Sequence, residues 1–418
     1  MSDPAPSGAT PPASAALTAA GAPEVEFLME LGRSLLAYGM PAHRFEETLG
    51  GVAATLGMEA QFFALPTGFL AWLRSGTLQQ SLFLRSDAGA TDLDKLTTLQ
   101  EITDRVLAGT MAVREASRLL REALAARPLW GWRATLSATA VSSGAFAIFF
   151  QASLRDALAA LCLGGALGAL FAAASGRSRL ERLLPVLGAT LVSALAVLLA
   201  RLGFGTSTPV VTLAGLIMLV PGLGVVVAMN ELATGHLVSG SSRLIGTGMV
   251  FLQLAFGTAL GQRIGASWIA ARVAEAPPLP GWTLYLALLV IPLATLVLFQ
   301  ARKRDLGWVA LACWLAFGGA RAGTVFLGPE FGAGAGAWLL GVGANLYARF
   351  LGRPALVPLL PGLLLLVPGS LGYRSLGYLA RGDTLAGIDA AVEMVFIAVS
   401  LLVGLLLSRA TVEPQRPL

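Results

Sequence analysis

One eight-residue phrase occurs twice in this chain, and it restricts the fold more than any other feature. Gly215-Leu216-Ile217-Met218-Leu219-Val220-Pro221-Gly222 returns as Gly362-Leu363-Leu364-Leu365-Leu366-Val367-Pro368-Gly369, 147 residues later. The register continues, with Gly235 falling on Gly382 and Gly240 on Gly387. Each copy breaks a hydrophobic run at Pro-Gly. In lipid, a broken helix releases backbone donors and acceptors that protein, water or a ligand must satisfy. Matched breaks in two related halves are the pattern of a transporter with its binding site at the breaks. Pro221, Gly222, Pro368, Gly369 and the adjacent Ser370 are therefore candidate substrate-binding residues.

The rest of the chain supports a membrane reading. It is 56% hydrophobic and only 13% charged, well away from a soluble average. The apolar excess begins after about residue 133, in runs near the twenty residues needed to cross roughly 30 Å of hydrocarbon. The net charge of +5 is nearly all arginine, since Lys95 and Lys303 are the only lysines. In a membrane protein such a surplus belongs to loops facing anionic headgroups, which argues against a nucleic-acid partner. Cys162 and Cys313 both fall inside hydrophobic runs and read as small buried packers. No metal-ligand set can be assembled, and nothing calls for a cofactor.

Residues 1–23 are Ala-, Pro-, Ser- and Thr-rich, with neither a basic start nor an apolar core, and read as a flexible tail. Residues 24–127 read as a small soluble α+β domain. Val25, Leu28, Leu31 and Leu35 share one helical face, which Tyr38-Gly39 ends. Phe45, Leu49, Val52 and Leu56 share the next face, which Gly57 ends. Two β-rich segments, 59–74 and 78–85, flank a turn at Ser75-Gly76-Thr77, and amphipathic helices follow at 92–107 and 111–126.

Ten membrane spans are expected near 134–151, 155–174, 183–200, 208–229, 244–262, 282–299, 306–326, 331–349, 355–373 and 388–408. The 147-residue shift maps the fourth and fifth onto the ninth and tenth, so residues 128–274 and 275–410 hold five each, before a tail at 411–418. An odd number per half turns the second copy upside down, giving inverted repeats. The expected fold is thus an all-α polytopic membrane protein behind a soluble α+β domain. Loops after even spans carry more arginine, including Arg177, Arg179, Arg182, Arg243, Arg302, Arg304 and Arg353, which puts both termini in the cytoplasm.

An ionisable group inside a span costs about 2.5–3.5 kcal/mol on insertion scales, so each calls for a reason. Glu393 lies about five residues inside the last span, and Asp389 precedes it by one helical turn. Buried together they would form a proton-coupling pair; otherwise Glu393 pairs with an arginine such as Arg374. Asn230 and Glu231 close the fourth span just after the break, as ligands for a substrate ammonium or a coupled proton, or merely as helix terminators. Asn345 sits among small residues in the eighth span, as a substrate contact or an interhelical hydrogen bond. In the soluble domain His43, Arg44, Glu46 and Glu47 cluster on the second helix, with Thr67 in the β region. Without a nucleophile elbow, phosphate loop or Cys–His pair they suit a gate or regulatory module better than an enzyme.

Several motifs together resemble one family. Leu35-Leu36-Ala37-Tyr38-Gly39 followed by His43-Arg44-Phe45-Glu46 is similar to the amino-terminal signature of the threonine/serine exporters, with Phe45 in place of a valine. Pro66-Thr67-Gly68, the Phe150 to Asp156 spacing, and Leu219-Val220-Pro221-Gly222 with Asn230-Glu231, Gly235 and Gly240 resemble further blocks of it, Glu231 standing where an aspartate is commoner. The likeness covers about residues 24–408. It implies a fused two-half transporter in a bacterial inner membrane, exporting small hydroxylated amino acids at the expense of the proton gradient. The partners implied are an amino acid, protons and the lipid bilayer, with a homodimer as a candidate assembly. Two alternatives stay open: a facilitative amino-acid or small organic acid pathway without proton coupling, and a membrane-anchored protein whose soluble domain is a hydrolase.

Overall fold

A computed structural model describes residues 23–75, 78–86, 89, 91–204, 206–266, 277–380 and 382–413. The chain divides into two compact units, residues 1–90 with 95–126 and residues 91–94 with 127–418.

In the first unit, α1 (Pro23–Ala37) buries Val25, Leu28, Leu31 and Leu35 on the expected face, together with Phe27 and Met29. Gly39 ends it with φ +86°. The Met40 amide bonds the Leu35 carbonyl at 3.1 Å and the Gly39 amide bonds Leu36 at 3.0 Å, the double closure that a left-handed cap allows. α2 (Ala42–Thr55) runs into Gly57, also left-handed. The expected single segment 59–74 is two strands. β1 (Glu59–Leu65) turns through Pro66-Thr67 into β2 (Gly68–Ser75), and β3 (Leu78–Arg85) completes an antiparallel sheet in the order β1-β2-β3. Pro66 has no N–H to continue a ladder, so the pairing restarts at Leu65 opposite Gly68. A Cβ at Gly68 would lie 2.4 Å from the Leu84 carbonyl, so only glycine fits there. Gly76 and Thr77 of the expected turn lie outside the described residues. α3 (Leu93–Leu107) and α4 (Val113–Ala125) follow.

The second unit is helical throughout. Its elements are α5 (Trp132–Phe149), α6 (Leu154–Ala174), α7 (Ser178–Leu199), α8 (Thr208–Gly215), α9 (Gly222–Ala233), α10 (Leu237–Ala266), α11 (Thr283–Leu298), α12 (Leu306–Leu327), α13 (Pro329–Leu351), α14 (Leu356–Leu366), α15 (Gly369–Ala380) and α16 (Thr384–Thr411). Each of the ten expected spans overlaps a helix or a broken pair of helices, α8/α9 being the fourth and α14/α15 the ninth. Among the described residues six stretches are long and apolar enough to cross a bilayer: Leu154–Ala174, Ser178–Phe204, Leu237–Ala266, Lys303–Leu327, Leu356–Leu379 and Thr384–Thr411. The other four segments fall short of that measure for visible reasons. α5 carries Thr and Ser on its buried side, α11 has 16 residues, α13 is rich in glycine, and the fourth segment is interrupted between α8 and α9. Cys162 departs from expectation. It is exposed on α6, whereas Cys313 is buried, because a single apolar helix has an outer face as well as a packed one.

The two halves repeat more than their octapeptide. After α5 the chain reads Phe150-Gln151-Ala152-Ser153-Leu154-Arg155-Asp156, and after α11 it reads Phe299-Gln300-Ala301-Arg302-Lys303-Arg304-Asp305. Among the described residues Gln151 and Gln300 are the non-glycine residues with positive φ, at 57° and 54°. Ala152 closes on Ala147 and Ala301 on Leu296, so both turns have the same backbone bonds. The helix seams match too. On α10, a Cβ at Gly257 would lie 2.5 Å from the Val186 carbonyl of α7. On α16, 147 residues on, a Cβ at Gly404 would lie 2.1 Å from the Gly334 carbonyl of α13. Glycine at both positions lets backbones meet at distances that side chains forbid.

Candidate functional site

Proline creates both interruptions. Lacking an N–H, Pro221 and Pro368 cannot bond the carbonyls four residues back, those of Ile217 and Leu364. In the first break the chain leaves α8 at Gly215 and resumes helix at Gly222. In the second only Val367-Pro368 separates α14 from α15, with Val367 extended at φ −66°, ψ 130°.

The structure brings the two breaks into contact. A Cβ built on Gly222 would lie 2.0 Å from Cγ1 of Val367 and 3.3 Å from both Cα and N of Gly369. A Cβ built on Gly369 would lie 2.6 Å from Cγ1 of Val220 and 3.1 Å from Cα of Gly222. Each glycine is the floor on which the other half's valine rests.

Two cavities adjoin this contact. The first, about 280 Å³, is lined by Phe149, Ile217, Gly222, Thr324, Leu364 and Gly369, among others. Ile217 and Leu364, whose carbonyls the prolines cannot bond, are both among its lining residues. The second, about 440 Å³, lies between α8 and α15, with Pro209, Thr212, Gln262, Tyr373, Arg374 and Tyr378 in its lining. Phe150 and Ser370 line both. The second cavity has more polar side chains in its lining. Thr212 is 1% exposed, and its hydroxyl has no hydrogen-bond partner among the described residues. The Tyr373 hydroxyl is tied to Thr258 on α10 at 2.9 Å, and the Arg374 guanidinium donates to the Tyr378 hydroxyl at 3.3 Å.

The opposite pairing of half-helices packs apolar side chains against one another. Val226 of α9 packs with Leu363 and Leu366 of α14 in one core cluster, to which Leu223 and Leu359 add partly buried surface. This asymmetry follows from side-chain chemistry. Apolar residues close the α9–α14 junction, and polar ones line the α8–α15 gap.

The other sequence candidates fall in different places. Of the substrate set, Pro368, Gly369, Ser370 and Gly222 line the first cavity, with Pro221 as the residue before α9. Glu231 is fully buried. Its two oxygens take a fork of hydrogen bonds from Arg243 at 3.0 and 3.1 Å and a third from the Ser239 hydroxyl at 3.0 Å, joining the end of α9 to the start of α10. Asn230 is buried on the same turn. Asn345 donates from Nδ2 to the Val412 carbonyl at 2.9 Å, holding α13 to the end of α16. Asn230, Glu231 and Asn345 line neither cavity. Glu393 and Asp389 are both exposed on α16, not buried together. The burial expected for them fails because the first turns of α16 pack on α15 through the face of Gly387 and Met394, and Asp389 and Glu393 lie on the opposite face. Glu393 nonetheless precedes Ile397, which lines the first cavity, by one helical turn. In the first unit, Glu46 accepts from the Ala64 amide at 2.9 Å, Arg44 is buried at 7% exposure, and the Thr67 carbonyl takes the Ser86 amide at 3.0 Å.

Two buried aspartates escaped the sequence reading of the site. Asp156, 4% exposed, accepts from the Ser153 amide and hydroxyl and, at 2.7 Å, from the Ser207 amide just before α8. Asp305, 1% exposed, accepts from the Tyr347 hydroxyl at 3.0 Å and from Arg353, shortly before α14, at 2.7 Å. Each ties the start of a half's second helix to the entry of its broken helix. The signal was present in the repeated Phe-Gln-Ala and Arg-Asp frame, at a shift of 149 residues where the octapeptide uses 147.

Comparison with known proteins bears on this arrangement. The family model "Putative threonine/serine exporter" matches residues 26–265, and a second, "Threonine/Serine exporter", matches residues 284–411. Among curated proteins, an uncharacterized Schizosaccharomyces pombe protein is 24% identical over 393 residues, covering 88% of this chain and 45% of its own length. Pheromone-regulated membrane protein 10 of Zygosaccharomyces rouxii is 25% identical, covering 88% of this chain and 38% of its own length. Its Eremothecium gossypii counterpart is 24% identical, with coverages of 93% and 56%. The chain thus spans about half the length of these fungal relatives, or less. No solved structure matches it.

Proposed function

The chain belongs to the threonine/serine exporter family, two of whose models cover both its halves, and from that premise we propose a secondary transporter working at the contact of its two Pro-Gly breaks. It is a multi-pass membrane protein. The proposed cargo is a small hydroxylated amino acid, and the proposed driving force is a proton moving the other way. The contact between Gly222 and Gly369 carries the reading. Two breaks 147 residues apart meet at one point, where a serine and two cavities can receive a zwitterion.

Ten spans in two inverted five-helix repeats give the mechanism its form. Under the repeat, the packed α9–α14 junction and the open α8–α15 gap are equivalent places in opposite leaflets. One shut and the other open is the asymmetry that alternating access requires, and transport is the exchange of the two. Arginine-rich loops after even spans favour a cytoplasmic first unit in a bacterial inner membrane, with the α8–α15 gap facing outward. Glu393 is the proposed proton carrier, because it stands one turn from the cavity wall at Ile397.

The test is counterflow and gradient-driven flux in proteoliposomes holding the purified chain. Uphill movement of threonine or serine when a proton gradient is imposed, with Glu393→Gln keeping counterflow but losing uphill movement, is the expected result. Flux that never exceeds equilibration would replace the coupled carrier with a facilitative pathway. Glu393→Gln driven as well as the parent would remove Glu393 from the mechanism.

A further inference from the structure

We infer that the α8–α15 cavity is the recognition site of this transporter, with Arg374 receiving the substrate carboxylate and Thr212 reading its side-chain hydroxyl. The inference rests on the transport reading above and adds the residues that select the cargo.

Three observations converge on it. The cavity, about 440 Å³, is large enough for a small amino acid with some of its water, and it mixes apolar walls with a few polar groups, as ligand sites do. Arg374 supplies a cation in that wall. No lysine or arginine lines the smaller cavity, so a carboxylate has no charge partner there. Among the described residues Arg374 has no carboxylate of its own; its recorded bond is to the neutral Tyr378 hydroxyl. Thr212 is 99% buried and belongs to the lining of the same cavity, and among the described residues nothing satisfies its hydroxyl. A buried polar atom without a partner is costly, and a turn of the Thr212 side chain toward the cavity it helps to line would bring the hydroxyl one.

The internal repeat supplies a control that a single fold rarely offers. Subtracting 147 from Ser370, Tyr373 and Arg374 gives Leu223, Val226 and Val227, and adding 147 to Thr212 gives Leu359. Leu223, Val226 and Leu359 belong to the apolar α9–α14 junction. The backbone plan therefore accepts leucine and valine at these positions and closes well with them. The polar set on the α8–α15 side is not a demand of packing. It is what remains when one of two equivalent junctions must hold a ligand. Ser370, Arg374, Gly377 and Tyr378 fall on one face of α15, leading from the break to the cavity's far wall, so a ligand on Arg374 lies beside the Ser370 that both cavities share.

The site follows the usual division of labour. A guanidinium grips a carboxylate with two parallel donors, and Arg374 sits on a rigid helix where that fork holds its direction. A hydroxyl-to-hydroxyl contact at Thr212 discriminates by leaving a buried group unpaired when the ligand lacks its own hydroxyl.

The experiment is calorimetric binding to the purified full chain, run beside counterflow, with threonine, threoninol (no carboxylate) and 2-aminobutyrate (no hydroxyl). Arg374→Gln is expected to weaken threonine binding about tenfold or more while leaving threoninol unchanged, with Arg374→Lys intermediate. Thr212→Val is expected to reduce the preference for threonine over 2-aminobutyrate by roughly 2- to 10-fold. Arg374→Gln that binds threonine like the parent, or that loses threonine and threoninol equally, overturns the assignment while parental counterflow leaves the transport reading standing. If the parent carries no amino acid, the transport reading fails. Lactate then tests the anion site alone: binding that Arg374→Gln abolishes upholds it, and binding that is absent or unaltered overturns it. Should Arg374→Gln not remain monodisperse, Arg374→Lys carries the same comparison, since it keeps the charge and loses the fork.

Discussion

Replacing Gly222 with alanine tests the contact on which the site is built. The new methyl would sit 2.0 Å from Cγ1 of Val367 and 3.3 Å from the backbone of Gly369. The first contact is impossible and the second merely tight, so the obstruction is mostly one valine methyl from the other half. Overpacking of this kind costs about 1–3 kcal/mol, of which up to roughly 0.5–1 kcal/mol can be returned by alanine's better helix propensity. Val367→Ala alone deletes two methyl groups at a half-buried position, a loss of about 1–1.5 kcal/mol. If the breaks touch as described, the two changes are not additive. The double variant Gly222→Ala/Val367→Ala is expected to be about as stable as Val367→Ala alone, a favourable coupling of about 1–2 kcal/mol. The assay is the thermal midpoint in detergent across the four proteins, with counterflow in parallel; the coupling corresponds to a recovery on the order of 2–4 °C per kcal/mol. Strict additivity would show that Gly222 and Val367 do not meet, and the shared site would fall with it.

Three further outcomes follow from particular contacts. Asp156→Ala strands the Ser153 and Ser207 amides and removes a helix cap, so it should cost about 2–4 kcal/mol, whereas Asp156→Asn keeps an acceptor and costs less; equal thermal midpoints for the two variants would contradict this. Glu231→Ala leaves Arg243 and Ser239 without their shared partner, and a loss of about 3–5 kcal/mol, reduced to less than about 1 kcal/mol when Arg243→Met is already present, is expected from a double-variant cycle. Glu30, in the first unit, has its carboxyl pushed above the ordinary 4.5 mainly by burial, against the pull of Arg121. The folded form then binds the proton more tightly than the unfolded form, so this contribution is present at low pH and lost as pH rises through the folded value. Glu30→Gln should accordingly slow hydrogen exchange of the α1 amides at neutral pH and give no gain below about 4.5; a gain that grows on acidification would reverse the sign.

Much of the architecture could be read from residue order. Runs of apolar residues located the helices of the second unit, and Pro-Gly located both breaks, because proline's missing N–H interrupts a helix in any context. Gly39 and Gly57 ended their helices for an equally local reason, a backbone that must turn left-handed. The split of 59–74 into two strands was half legible: Pro66-Thr67-Gly68 stood out as a motif, but only the paired sheet made it a hairpin. The turn frame at Phe150–Asp156 and Phe299–Asp305 was in plain view, hidden by a shift two residues longer than that of the octapeptide.

What no reading along the chain could decide is which groups meet. Periodicity states that a residue lies on a face but not what faces it, so Glu393 and Asp389 were expected inward and stand outward, and Glu231 was expected at the substrate and is held by Arg243. Charge alone singled out those carboxylates, since an ionisable group in a hydrophobic run is visible in one dimension. Thr212 and Arg374 became notable only when the folded chain opened a cavity between helices some 160 residues apart, leaving a buried hydroxyl without a partner and a cation beside it. Local rules of backbone geometry and hydrophobic length are written in sequence. Contact between distant half-helices, and the gap left between others, is a property of packing in three dimensions.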